Sequence, residues 1–282
     1  MMNNRLSRTA TSIINLVSDQ QLQQALIQSF SENQESVRKI EDCFALLPTY
    51  HWSNQSLAMF FNSWKATHLK MLAIYGLSCR LQRLALTKAI PEREKLLLAS
   101  AYNAETSYED LGLDFQGQTH AELYDNLVSF FLGNFPWQLE EYCLPKAREF
   151  KKWIYQNMVV DDISTGLLSN MFSEIYNHAE YTIALSAFSE LVNNHYQCSS
   201  EEKDRALCYV QAHVADETEV AHFLVVVKAL QEYTQATNTT IDYQQAKLLF
   251  KEYLNRVSLV MEELAVSLKQ ETDAARNLMY VS

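Results

Sequence analysis

Glycine and proline are scarce in this chain. Its 282 residues include only five Gly and four Pro, whereas average use is roughly 7% and 5%. Because these two residues supply most tight turns and helix breaks, their scarcity predicts long helices joined by few turns. β-branched runs are short, and LVVVK at 224–228 is the longest. We therefore predict an all-α protein.

Composition narrows the possible partners. A hydrophobic fraction of 48% is enough to bury a core, and the formal net charge of −11 argues against binding to nucleic acid. No stretch approaches the roughly 18 apolar residues of a membrane span. The five cysteines are scattered and never CxxC-spaced, which predicts neither a disulfide framework nor a thiolate zinc site. The N-terminus also lacks the apolar core of a signal peptide, so we expect a cytoplasmic protein without a membrane or nucleic-acid partner.

The helical pattern predicts one domain. Residues 1–17 are polar and are expected to be a flexible N-terminus, and residues 18–282 form a single domain of about eight helices, without linkers or repeats. The predicted helices span 19–47, 54–89, 91–112, 118–132, 136–157, 161 or 162–196, 199–233, and from 242 onward.

Familiar catalytic motifs are absent from the sequence. There is no GxGxxG, P-loop, GxSxG, HExxH or EF-hand loop. What remains is a set of histidines and acids on several helices. Helical bundles build metal sites from such residues, because imidazoles and carboxylates of facing helices can converge in the core.

The central stretch carries a family resemblance. YEDLG at 108–112, HAEL at 120–123 and FFLG at 130–133 resemble the heme-oxygenase-like diiron oxidases and oxygenases. These are cousins of the thiaminase-like and pyrroloquinoline-quinone synthase-like proteins. The resemblance implies a heme-oxygenase-like helical bundle. It also implies that Asp110 and His120, ten residues apart across a glycine-containing turn, fold back onto a shared metal ion, with Glu109 as an alternative ligand. The competing interpretation is a helix corner with solvated acids and a capping histidine.

Two further stretches complete the implied ligand set. In NHAEYTIALSAFSELVNNHY, Glu180 stands at the place of a family carboxylate, with Glu174 as its competitor and an exposed position as the alternative. The late phrase YVQAHVADETEVAH offers His213 with Glu217, or else Glu219 with His222. On one regular helix His213 and His222 point about 180° apart, so both could be used only if the helix were distorted, for example by a π-bulge.

Several departures from the family pattern are visible. The predicted helix over 54–89 contains no Asp or Glu, and His68 is the single candidate ligand there. Cys143 and Cys208 lie on predicted helices without a local feature that would activate a thiol, so a thiaminase-like cysteine nucleophile is not expected. No histidine precedes His51, which argues against heme.

The resemblance implies a function. We expect an iron-dependent oxidase or oxygenase with two Fe ions, acting with O2 on a small-molecule substrate such as an amine, amino acid or fatty acid. The sequence is also compatible with a homodimer. The alternatives are a non-catalytic helical binding or interaction protein and a cofactorless relative of the same fold, since a fold alone does not fix a function.

Overall fold

The fold is helical throughout the part of the chain that the computed structural model describes, which is residues 4–68, 70–108, 111, 117–215 and 218–279. This confirms the predicted all-α class, although the helices are more numerous than the eight or so expected. They are α1 (Arg5–Ile14), α2 (Gln20–Glu32), α3 (Gln34–Leu46), α4 (Asn54–His68), α5 (Met71–Ala85), α6 (Ile90–Glu105), α7 (His120–Leu132), α8 (Pro145–Tyr155), α9 (Ile163–His195), α10 (Ser200–Ala215), α11 (Thr218–Thr237) and α12 (Tyr243–Met279).

Helix α9 is the centre of the bundle. It is 33 residues long, and its buried side chains point in all directions around the axis. A helix that is buried all round belongs in the interior, and α9 packs against α1, α10 and α11 and also touches α3, α5 and α12. It begins where the sequence predicts, because the Asp162 side chain accepts a hydrogen bond from the Thr165 amide at 2.9 Å. In the described ranges, no helix has both the length and the apolarity needed to cross a bilayer.

The N-terminal segment differs from the expectation of a flexible tail. Residues Arg5–Ile14 form α1, whose apolar stripe of Leu6, Ala10, Ile13 and Ile14 is buried against the bundle. The spacing of these four residues puts them on one face, and Arg8 and Ser12 between them are exposed to solvent. The polar composition of the segment therefore concealed an amphipathic helix.

Two of the predicted helices are each divided in two. The 19–47 stretch breaks at Asn33, whose side-chain amide donates to the Ser29 carbonyl oxygen at 3.0 Å and so competes with the helical backbone bonds. The 54–89 stretch is divided between α4 and α5, and Lys70 directly precedes α5. In the 199–233 stretch, α10 and α11 lie on either side of residues 216–217, which are outside the described residues.

Pro136 does not open a helix as predicted. The Trp137 and Leu139 carbonyl oxygens instead accept hydrogen bonds from the Asn62 side chain at 2.8 and 3.0 Å, which holds this segment as a loop on α4. Helix α8 begins at Pro145. It continues into a short π-helical turn, Gln156–Val160, whose Met158 carbonyl accepts from the Arg80 guanidinium at 3.1 Å.

Candidate functional site

A cavity of about 100 Å³ lies where α4, α5, α7, α9, α10 and α11 meet. Its described lining combines four histidines, two lysines and one carboxylate with an aromatic and aliphatic wall. The lining residues are Lys65, His68, Lys70, Met71, Ile74, Thr106, His120, Ala121, Tyr124, Glu174, Asn177, Tyr181, Tyr209, His213 and His222. No cysteine stands among these residues, so the described lining offers no thiol nucleophile.

Local capping places His120 at the cavity. His120 is the first residue of α7, and the preceding Thr119 accepts a hydrogen bond from the Glu122 amide at 3.2 Å. The Glu122 carboxylate accepts in return from the Thr119 amide at 2.9 Å, which completes a capping box. This box fixes where the helix starts and therefore the direction in which the imidazole leaves it.

His213 meets His120 from α10. The two ring centroids are 4.6 Å apart, and the His213 ring also lies flat on Tyr181, with centroids 4.0 Å apart and an interplanar angle of 3°. The Tyr181 and Tyr209 hydroxyls are 2.8 Å apart. Two imidazoles from different helices are thus held together by an aromatic wall.

The electrostatic surroundings keep His213 uncharged. Burial lowers the pKa of His213 well below its usual value, and the neighbouring His120, His68, His222 and Lys70 lower the pKa further because each is a potential positive charge. Its imidazole is therefore neutral at physiological pH. A neutral ring can ligate a metal ion or exchange a proton with a bound molecule.

A second polar group lies on the α9 side of the cavity. Lys70 Nζ is 3.7 Å from Glu174 Oε1, and His222 Nδ1 is 3.7 Å from Glu174 Oε2. All three residues are less than a tenth exposed. When Asn177 is oriented with its amide nitrogen toward the Ser173 carbonyl at 3.1 Å, its amide oxygen accepts from Lys70 Nζ at 3.3 Å.

Hydrogen bonds behind Glu174 connect it to the bundle core. The Ser173 hydroxyl lies 3.3 Å from Glu174 Oε1 and donates to the Asn170 carbonyl at 2.7 Å. The Asn170 amide donates to Asn103 Oδ1 at 3.1 Å, and Asn103 in turn donates to Ser78 Oγ at 2.8 Å. This chain of buried polar groups joins α5, α6 and α9, and it limits the positions that the Glu174 carboxylate can take.

Glu180 lies in the core next to the cavity and is absent from the described lining. It is fully buried, its Oε2 atom is 2.6 Å from His68 Nε2, and its Oε1 atom accepts a hydrogen bond from the Tyr176 hydroxyl. Glu180 is therefore not at a solvent-exposed position, which was the alternative considered for it from the sequence. Glu174, its competitor in the sequence, is the α9 carboxylate that lines the cavity.

The predicted ligands are brought together only in part. His120 and His213 are neighbours, and His222 joins them on the same cavity although a regular helix would separate it from His213. His213 belongs to α10 and His222 to α11, and both line the cavity. Some of the predicted ligands lie outside the described residues. These are Glu109, Asp110 and Glu217, together with the side chain of Glu219 from the alternative register.

Other residues of the cavity were missed in the sequence. Lys70 and Asn177 gave no signal, because a lysine between two helices and an asparagine on a long helix usually face solvent. Tyr181 and Tyr209 matched the helical period of an ordinary core. Within the described part of the chain, no three His, Cys, Asp or Glu side chains are grouped closely enough to hold a metal ion.

Comparison with known proteins identifies a fold relative. No protein-family model matches the chain, and no curated protein matches it. Among solved structures, the chain is similar to a TenA homolog from Pseudomonas syringae pv. tomato str. DC3000, with a TM-score of 0.58 and 13% sequence identity. The match covers 88% of this chain and 93% of that one. At this identity the likeness concerns the fold alone, which is an all-helical bundle as predicted.

Proposed function

We propose that the protein is an enzyme that converts a small molecule inside the central cavity, with iron as cofactor and O2 as co-substrate. The observation that carries the proposal is the approach of the His120 and His213 rings, 4.6 Å apart, on a cavity that also contains Glu174. Imidazole and carboxylate form a ligand set that suits non-heme iron. The reaction class is therefore an oxidation or oxygenation of a small amine, amino acid or fatty acid.

The two imidazoles fit one half of such a site. Because burial lowers the pKa of His213, its ring is in the neutral form that coordination requires. The described residues alone do not supply three grouped ligands. The proposal therefore needs a carboxylate from Glu109, Asp110 or Glu217 beside His120 and His213.

The chain's own residues have separate tasks in this proposal. Iron held by His120 and His213 would supply the activation of O2. Tyr181 holds the His213 ring by stacking on it and, with Tyr209, covers one side of the cavity and excludes water. Lys70 and Glu174 offer buried charges to which a polar group of the substrate can bind.

Ferrous-ion binding tests the proposal. After chelator treatment, wild-type protein dialysed anaerobically against ferrous ion should retain iron, whereas His120→Ala and His213→Ala should lose it. His222→Ala should lose less, because the His222 ring faces Glu174 at 3.7 Å and is not part of the His120–His213 ring pair. His195→Ala is the control. His195 Nε2 lies 3.0 Å from the Pro48 carbonyl oxygen, and His195 is not among the described residues of the cavity lining, so this variant should bind iron as wild type does. Equal iron loss in His120→Ala and His222→Ala would contradict the assignment of ligands.

A cofactorless enzyme of the same fold is the second candidate function. The buried contacts of Lys70 and His222 with Glu174 favour it, since three ionisable groups around one cavity can move protons without a metal. Wild-type protein that binds no ferrous ion at any concentration would support this candidate over the iron enzyme.

A further inference from the structure

Two groups of polar residues line the cavity. One group is the paired rings of His120 and His213. The other group lies around Glu174, and each of its carboxylate oxygens already faces a nitrogen, Lys70 Nζ at 3.7 Å and His222 Nδ1 at 3.7 Å. The carboxylate that a second metal ion would need is therefore already paired with a cation of the protein itself.

The surrounding structure holds Lys70 in place. Lys70 is only 4% exposed, and its backbone carbonyl accepts a hydrogen bond from the Ile74 amide at 2.9 Å at the start of α5, which restrains the main chain. Asn177 gives the ammonium a second acceptor at 3.3 Å. A surface lysine could rotate into solvent to make room for a metal ion, but a buried lysine would first have to abandon two buried acceptors.

A divalent ion next to Glu174 would lie within a few ångströms of this ammonium. Repulsion between like charges is strong at such distances when water is excluded, because neither solvent nor salt screens them well. Without Lys70, however, Glu174 and His222 would present a carboxylate and an imidazole to the same space. Lys70 thus decides whether this side of the cavity is a metal site.

We infer that Lys70 is a resident cation that replaces a second metal ion at Glu174 and His222, so that each chain holds at most one divalent ion, on the His120 side. The position of that first ion rests on the proposed function. The statement about Lys70 rests on the Glu174 side alone, and it departs from the two iron ions that the family resemblance implies.

Anaerobic equilibrium dialysis against ferrous ion, with iron counted by mass spectrometry, tests this inference. Wild-type protein should bind no more than one equivalent, and Lys70→Met should bind one equivalent more than wild type. Lys65→Met is the matched control, because Lys65 lines the same cavity but pairs with Asp125 at 3.3 Å, and it should bind as wild type does. Lys70→Arg keeps the positive charge and should also remain at the wild-type value.

Two further variants keep the result interpretable. Lys70→Gln retains hydrogen-bond donors for Glu174 and Asn177, so it replaces Lys70→Met if that variant fails to fold by circular dichroism. Adding Glu174→Gln to either variant should remove the extra equivalent. Two tight equivalents in wild-type protein, or no extra equivalent in a folded variant that lacks the charge of Lys70, would overturn the inference. If wild type binds none and Lys70→Met binds one, the inference stands and the iron site at His120 and His213 fails.

Discussion

Replacing His68 with leucine should destabilise the protein strongly, because it leaves a fully buried carboxylate without one of its two partners. Glu180 has no solvent exposure, and its two oxygens face His68 Nε2 at 2.6 Å and the Tyr176 hydroxyl. The His68 side chain is itself only 5% exposed. Leucine fills much of the space of the imidazole without offering a hydrogen-bond donor, so the carboxylate would keep only the hydrogen bond from Tyr176.

The magnitude follows from this burial. Removing the partner of a buried carboxylate costs about 3–5 kcal/mol, and with a urea slope of about 3 kcal/mol per M the unfolding midpoint should fall by about 1–1.7 M. Urea unfolding followed by far-ultraviolet circular dichroism measures this shift. Lys39→Met is the control for a surface pair, since Lys39 and Glu262 are partly exposed and their loss should leave the midpoint almost unchanged.

A double-mutant cycle separates the pair from the packing around it. The double variant His68→Leu with Glu180→Leu should regain most of the stability lost in His68→Leu, because no charge then remains buried without a partner. Additive losses, or a shift below about 0.3 M for His68→Leu, would refute the reasoning from buried charge. The same variants bear on the iron site, since a Glu180 that ligated metal would make Glu180→Leu lose iron even where the fold is retained.

Three other predictions follow from single contacts. His213 has a lowered pKa in the folded protein because burial disfavours its charged form, so the unfolded chain takes up a proton first and stability is lost as the pH falls through about 6.5. Urea unfolding of metal-free protein should show roughly 1 kcal/mol less stability at pH 5.5 than at pH 7.5 from this group, and His213→Gln should lack that component. Gly166→Ala should lower the free energy of unfolding by about 1–3 kcal/mol in thermal unfolding, because the new methyl group would lie 2.8 Å from Leu77 Cδ1. In Gly76→Ala the closest contact is 3.2 Å, so this variant should lose less stability. Equal losses in the two variants would contradict the explanation by overpacking. Asn103→Ala should cost about 1–3 kcal/mol in urea unfolding since it leaves buried polar partners unbonded, and an unchanged midpoint would show that other groups compensate.

The sequence by itself determined the helical class and much of the local structure. Scarce glycine and proline predicted helices, and local signals predicted one helix from about 118 that ends at Gly133 and another that starts at Asp161 or Asp162. The structure has these helices at His120–Leu132 and Ile163–His195. Such signals are readable because a cap or a left-handed glycine depends on residues within one turn. His120 and His213 were also chosen from their local phrases, and they are neighbours in the folded chain.

Only the tertiary structure decided which side chains share the cavity. His213 of α10 and His222 of α11 both line the cavity, and the packing of α9 buries Glu180 with His68 while Glu174 faces the cavity with Lys70. These outcomes depend on where a helix stops and on the rotation with which it packs. Both are set by long-range contacts that a helical period does not encode, because the same 3.6-residue repeat is compatible with several inward faces on a helix that is apolar all round.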